Sequence, residues 1–90
     1  MKGYVYILED TTGRFYIGST QDIKKRMREH RGGHTQTTRN MKEPQMIFFQ
    51  EYSSLEIART IERKLKMLKR KDYIEKIVAD GYIKMTPLSS

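Results

Sequence analysis

Cysteine and tryptophan are absent from this 90-residue chain, proline occurs twice, and nowhere do apolar residues run to membrane-spanning length. Without cysteine there is no disulfide framework, no thiolate metal site and no thiol nucleophile. A transmembrane helix needs about 20 predominantly apolar residues, so none is expected. The opening Met1-Lys2-Gly3-Tyr4 lacks the basic-then-apolar order of a secretory leader, and the expected compartment is the cytoplasm. Acidic residues are also scarce, 11 against 18 Lys and Arg, for a formal net charge of +7. That imbalance implies a polyanionic partner, nucleic acid before any other. The plainer alternative is a basic surface that only keeps the chain in solution. A chain of 90 residues makes one domain with a core just large enough to hold without staples. The expected division is a domain over residues 1–80 and a C-terminal tail over 81–90, with no internal repeat or low-complexity tract.

What is present begins with a hairpin. Gly3-Tyr4-Val5-Tyr6-Ile7-Leu8 and Arg14-Phe15-Tyr16-Ile17-Gly18 alternate aromatic and branched apolar residues, as paired strands do. Asp10-Thr11-Thr12-Gly13 between them suits a type I turn, with Gly13 as the left-handed residue of a following bulge. The bulge shifts the pairing by one residue, which sets Tyr16 opposite Leu8 and diagonal to Tyr6. Both tyrosines then share one face. Strand one is apolar on both of its faces, so both are covered or one is a partly wet aromatic floor. Packing alone would account for either tyrosine taken singly.

Asp22 is placed to cap a first helix, with Ile23 and Met27 as its buried stripe. Arg26 and His30 lie one turn apart on one side of that helix, and Arg26 borders the stripe, so it leans toward the sheet. Lys24, Lys25 and Arg28 project elsewhere as a solvated or phosphate-facing set. Gly32-Gly33 ends the helix, and the polar stretch to Lys42 reads as a loop in which Thr37, Thr38, Arg39 and Lys42 could hold phosphate oxygens. The glycines between His30 and His34 break the spacing that a zinc pair would need. Met46 to Tyr52 is the third strand, and its continuous apolar start suggests a central, doubly covered position. Ser53-Ser54-Leu55-Glu56 reads as a capping box opening the longest helix, with Ala58, Ile61, Leu65 and Leu68 as its stripe. Glu62 stands at the margin of that stripe, either paired with Lys66 or aimed over the aromatic face. Lys64, Lys66, Lys69, Arg70 and Lys71 form a basic ridge. Asp72 can cap a last helix with Ile74, Ile77 and Val78 inward, Asp80-Gly81 ends it, and Tyr82 to Met85 can add a short edge strand.

In order, these residues resemble the GIY-YIG nuclease superfamily. Val5-Tyr6 stands where the first motif ends, with Tyr4 in place of its glycine, and Tyr16-Ile17-Gly18 is the second motif unchanged. Arg26 and His30 fall at the spacing of the family's arginine and its Tyr/His position, and Glu62 resembles its metal-binding glutamate. The likeness runs from about Lys2 to Val78 and is strongest to small stand-alone members, similar to the N-terminal nuclease domain of excinuclease. One departure is plain: the family's asparagine beyond the glutamate has no counterpart around Ile74.

The resemblance implies an α+β fold, β-β-α-β-α-α, in which a three-stranded antiparallel sheet is flanked by helices. It implies metal-dependent cleavage of nucleic acid, DNA foremost, in repair or recombination. Tyr6, Tyr16, Arg26, His30 and Glu62 would carry the reaction. Mg²⁺ or Mn²⁺ would bind through Glu62 alone among protein groups, completed by water and substrate oxygens. Arg26 would place a fork of donors on the scissile phosphate. Tyr16 is the favoured base with Tyr6 as its neighbour; an unperturbed tyrosine has a pKa of ~10, so its proton must be drawn off by Arg26 or the metal. The rival is a nucleic-acid-binding module that uses the same basic surface and cuts poorly or not at all. A basic adaptor with a protein partner gains least from the sequence. A protein partner could still supply specificity to so small a nuclease.

Overall fold

The aspartate that opens the hairpin turn holds it together. In the computed structural model, which describes residues 2–31, 44–68 and 71–83 (the side chains of 29–31 excepted), Asp10 is almost wholly buried. Its Oδ1 accepts hydrogen bonds from the Thr12 and Arg14 amides at 3.0 and 2.9 Å and from the Thr12 hydroxyl at 2.6 Å. Arg14 Nε reaches its other oxygen at 3.3 Å, and its carbonyl accepts from the Gly13 amide at 3.0 Å. A buried carboxylate is tolerable when donors surround it in this way. Gly13 sits at φ 88°, the left-handed residue that the bulge requires.

Strand β1 (Gly3–Glu9) therefore pairs with β2 (Phe15–Thr20) in the expected register, Tyr16 opposite Leu8 and Gly18 opposite Tyr6. By alternation Tyr6, Leu8, Tyr16 and Gly18 share one face, and Val5, Ile7, Ile17 and Ser19 the other. The sheet is antiparallel in the order β2-β1-β3, with β3 at Gln45–Tyr52. This corrects the expectation of a central third strand. The central strand is β1, where Val5, Ile7 and Leu8 are fully buried and Tyr6 is 2% exposed. The apolar run in β3 has another cause. A register shift between Ile7 and Leu8 pairs Phe48 with Ile7 and Met46 with Leu8, leaving Ile47 as an extra residue. Ile47 and Phe48 then both pack against the same core, while Phe49 is half exposed.

The α+β order expected from the sequence is the one observed: α1 (Ile23–Arg31) precedes β3, and α2 (Leu55–Leu68) and α3 (Lys71–Asp80) follow it. Val5, Ile7 and Ile17 form one core with Ala58, Ile61 and Leu65 of α2 and Ile74 and Ile77 of α3. Gly3 lets β1 touch the start of α2, since a Cβ there would come within 2.5 Å of the Leu55 Cα. Leu68, expected inside, is instead 40% exposed at the end of α2. The α2 cap is Ser54, whose hydroxyl accepts from the Ile57 amide at 3.2 Å. Glu56 thus falls one position short of the reciprocal bond, and the capping box is not made. Asp22 caps α1 as expected, accepting from the Lys25 amide at 3.0 Å. The α1 stripe is only partly covered, Ile23 half-buried and Met27 36% exposed.

Asp72 lies inside the first turn of α3 rather than before it. Gly81, at φ 82°, ends α3 by donating to the Ile77 carbonyl at 2.9 Å. The expected strand at Tyr82 does not form over Tyr82–Ile83. Ile83 instead joins the core, its amide donating to Gln50 Oε1 at 2.7 Å. Gly32 to Lys42, with the loop residues Arg39 and Lys42, and Lys69, Arg70 and Met85 lie outside the described residues. Among the described residues no helix is long and apolar enough to cross a membrane.

Candidate active site

The end of β2 is where the candidate residues meet. The Tyr6 ring crosses from β1 and ends over Gly18, where an added Cβ would lie 2.5 Å from its Cζ. A larger residue at Gly18 would displace the ring. Tyr6 and Tyr16 stand with ring centroids 6.4 Å apart at 52°. Their surroundings differ: Tyr6 is 2% exposed, whereas Tyr16 is half-buried. Only Tyr16 presents an open face to a substrate.

Glu62 approaches from the other side of the sheet. Ser19, on the helix-covered face, donates to Glu62 Oε1 at 2.5 Å, and Lys66 Nζ lies 2.7 Å from Oε2. The same Nζ stands over the Tyr16 ring, 5.4 Å from its centroid. The carboxylate therefore reaches the tyrosine round the open edge of β2, and not over the aromatic floor as the sequence suggested. An edge strand allows this because no neighbouring strand closes that side. The two sequence alternatives for Glu62 are not exclusive: it pairs with Lys66 and also stands beside Tyr16.

Arg26 enters from α1. Its Nε is shielded from water, and the side chain lines a groove of about 330 Å³ with Ser19, Thr20, Asp22, Lys25, Leu55 and Arg59. Ser19 thus belongs both to this groove and to the Glu62 anchor. Sequence reasoning missed Ser19 and Arg59. Arg59 precedes Glu62 by three residues on α2, so helical spacing could have placed it on the same side. Ser19 could have been found from its register opposite Val5.

His30 has its backbone in α1, but its side chain lies outside the described residues. Of the basic residues, Lys24, Lys25 and Arg28 are exposed along α1. Lys64 and Lys66, two positions apart, point to roughly opposite sides of α2, so they do not form a single ridge. Lys66 and Lys71 do gather near the hairpin, with Lys71 Nζ 5.7 Å from the Phe15 ring centroid. Ile74, at the position comparable to the family's asparagine, is 5% exposed in the core and has no room for a polar role. No group of three or more His, Cys, Asp or Glu is placed to hold a metal among the described residues. A single carboxylate supplemented by water and phosphate oxygens still suits Mg²⁺, which keeps most of its hydration.

A hairpin bearing two tyrosines, an arginine on the next helix and a glutamate on the one after define a class of catalytic domain. The GIY-YIG catalytic domain model matches residues 2–76, and the chain belongs to the GIY-YIG family. It is similar to a UPF0213 protein of Streptococcus pneumoniae serotype 4, 37% identical over 70 residues that cover 77% of this chain and 71% of the relative. A UPF0213 protein of Haloquadratum walsbyi is 32% identical over 68 residues, 74% of this chain and 76% of that protein. Its fold matches the solution NMR structure of a UPF0213 protein from Bacillus halodurans, with a TM-score of 0.57 and 30% identity. That match covers 90% of this chain and 87% of the other.

Proposed function

We propose that the chain is a metal-dependent endonuclease that hydrolyses phosphodiester bonds of nucleic acid, DNA foremost. The observation that carries this reading is the Tyr16–Lys66–Glu62–Ser19 chain of contacts round the β2 edge, next to the Arg26 groove. It supports an acid–base group, a metal-binding carboxylate and a phosphate clamp within one small region.

In this reading Glu62 holds a Mg²⁺ or Mn²⁺ ion, which when bound supplies positive charge to the phosphate oxygens. Ser19 fixes the orientation of the carboxylate through its hydrogen bond. Arg26 binds the non-bridging oxygens and stabilises the charge that gathers there. Tyr16 takes the proton of the attacking water as the new P–O bond forms, and the old P–O bond breaks with its electron pair on the leaving oxygen, which is then protonated. Tyr6 packs beside Tyr16 and limits where that ring can move. His30 serves as an orienting or relaying group for the tyrosine. Lys24, Lys25, Arg28, Lys64, Lys66 and Lys71 draw the polyanion to the surface. Repair or recombination is the setting that such a cutter suits, with specificity supplied by substrate shape or by a protein partner.

A second reading, binding without cutting, draws on the Lys66–Glu62 ion pair. An i,i+4 pair at a surface is worth only ~0.3–0.5 kcal/mol, so it does not need a catalytic reason to exist. The test is a panel of labelled single-stranded, duplex and branched DNA and RNA, incubated with Mn²⁺ or with EDTA. Cleavage that requires metal and stops in Glu62→Ala supports the nuclease. Salt-sensitive binding with no cleavage of any substrate supports the binding module.

A further inference from the structure

A second groove adjoins the site at the same strand edge. It encloses about 460 Å³ between the hairpin and the two C-terminal helices. Its floor is aliphatic, made by Ile17, Leu65 and Ile74, which are 8%, 1% and 5% exposed. Phe15 and Tyr16, both half-buried, form the wall on the β2 side. Arg14, Lys66 and Lys71, all exposed, form the rim. The two lysine ammoniums stand over the two aromatic rings, Lys66 at 5.4 Å from the Tyr16 centroid and Lys71 at 5.7 Å from that of Phe15. An apolar floor inside a cationic rim calls for a flat, largely apolar group that carries anionic groups at its edge. Its volume lies within the ~300–1,000 Å³ range of small-molecule sites.

We infer that this groove is a nucleobase subsite: it takes one unstacked base of the substrate, with the flanking phosphates on Lys66 and Lys71. The inference rests on the nuclease reading for its biological setting, and on the groove alone for its chemistry. Lys66 belongs to both places, since its Nζ is also 2.7 Å from Glu62 Oε2. A base seated against Phe15 therefore leads its own backbone past Tyr16 and Glu62. Bases in an intact duplex are stacked and paired and cannot enter. The preferred substrate is then a nucleic acid with an unpaired nucleotide next to the cut, as in a single strand, a flap or a distorted duplex. Stacking on an aromatic wall is tolerant of sequence, so the groove selects an unpaired base rather than a particular one.

The test is an NMR titration in EDTA, so that no cleavage enters the readout. The probes are a deoxyadenosine dinucleotide with a 5′-phosphate and deoxyribose 5-phosphate, which lacks a base. The inference expects the dinucleotide to move the Phe15 and Ile17 amides and the Leu65 and Ile74 methyls, and deoxyribose 5-phosphate to leave those methyls in place. Phe15→Leu should weaken the dinucleotide about fivefold or more, the lower end of base–aromatic stacking. Lys71→Ala, at an exposed position, should weaken it without altering the fold. Equal shifts and affinities for the two probes would mean a simple anion contact and overturn the inference, as would dinucleotide binding that leaves the groove methyls unmoved. Groove binding in a protein that cuts nothing would keep the subsite and remove the nuclease. Cleavage by a protein whose groove stays silent would do the reverse.

Discussion

Replacing Gly18 by alanine tests the geometry at the centre of the site. The substitution adds one carbon, which would lie 2.5 Å from Tyr6 Cζ and 3.0 Å from Cε1. Neither contact can be relieved by a small rotation. The Tyr6 ring is 2% exposed, and its strand is the central one, paired on both sides. Overpacking of this kind costs about 1–3 kcal/mol. For a domain of this size ~1 kcal/mol lowers Tm by about 4–8 °C, so a fall on the order of 5–20 °C is expected by circular dichroism. Removing the Tyr6 hydroxyl alone should not restore stability, because ring carbons are also in the way. Shortening Tyr6 to valine should absorb the added carbon, so the double variant loses less than the sum of the singles. The expected signature is a coupling of about 1 kcal/mol or more between positions 6 and 18 in urea unfolding. An unchanged Tm for Gly18→Ala, or strict additivity with Tyr6→Val, would refute the packing argument.

Asp10→Ala should destabilise the chain by about 1–3 kcal/mol in urea unfolding, since the Thr12 and Arg14 amides lose their acceptor; Asp10→Asn should recover part of it. Arg26→Ala should reduce cleavage at least ~100-fold while retaining the fold, read by single-turnover rates beside far-UV circular dichroism. Burial pushes the Tyr52 hydroxyl above its ordinary range, with a hydrogen bond from Gln50 acting in the opposite sense. A raised folded-state value means that stability is intact below the unfolded tyrosine pKa of ~10 and is lost as pH rises through the folded one. Tyr52→Phe should therefore flatten the alkaline limb of a stability–pH curve above pH ~10. DNA affinity should fall linearly in log–log with salt, and Lys24→Ala should lower that slope by about 1 if this lysine contacts a phosphate.

The hairpin was legible in the sequence down to its register because its signals are local. Asp10 and Gly13 determine the turn, the turn determines the shift, and the shift brings Tyr6 and Tyr16 to one face. The third strand misled because an apolar run has two physical origins. A strand covered on both faces shows one, and so does a bulge that sends Ile47 and Phe48 to the same face. Helix periodicity located Ala58, Ile61 and Leu65 but could not say where the sheet beneath α2 stops, so Leu68 was expected inside. The route of Glu62 was hidden for a related reason. Spacing gives the side of a helix but not the distance to a strand edge, and the contact with Ser19 depends on β2 being that edge. Ile74 is the converse case, since its core position explains the missing asparagine without any appeal to function.

The most direct test of the central claim compares single-turnover cleavage by Tyr16→Phe, Tyr6→Phe and Glu62→Gln, with DNA binding measured on the same samples. General-base catalysis contributes ~10²–10⁴-fold, so Tyr16→Phe should lose at least ~100-fold in rate with binding unchanged. Glu62→Gln should lose as much or more and bind DNA as well as the parent, while Tyr6→Phe, altered at a buried position, should stay within about tenfold. If Tyr16→Phe cut at the parental rate, or if Tyr6→Phe suffered the larger loss, the assignment of the base to the open tyrosine at the β2 edge would be contradicted.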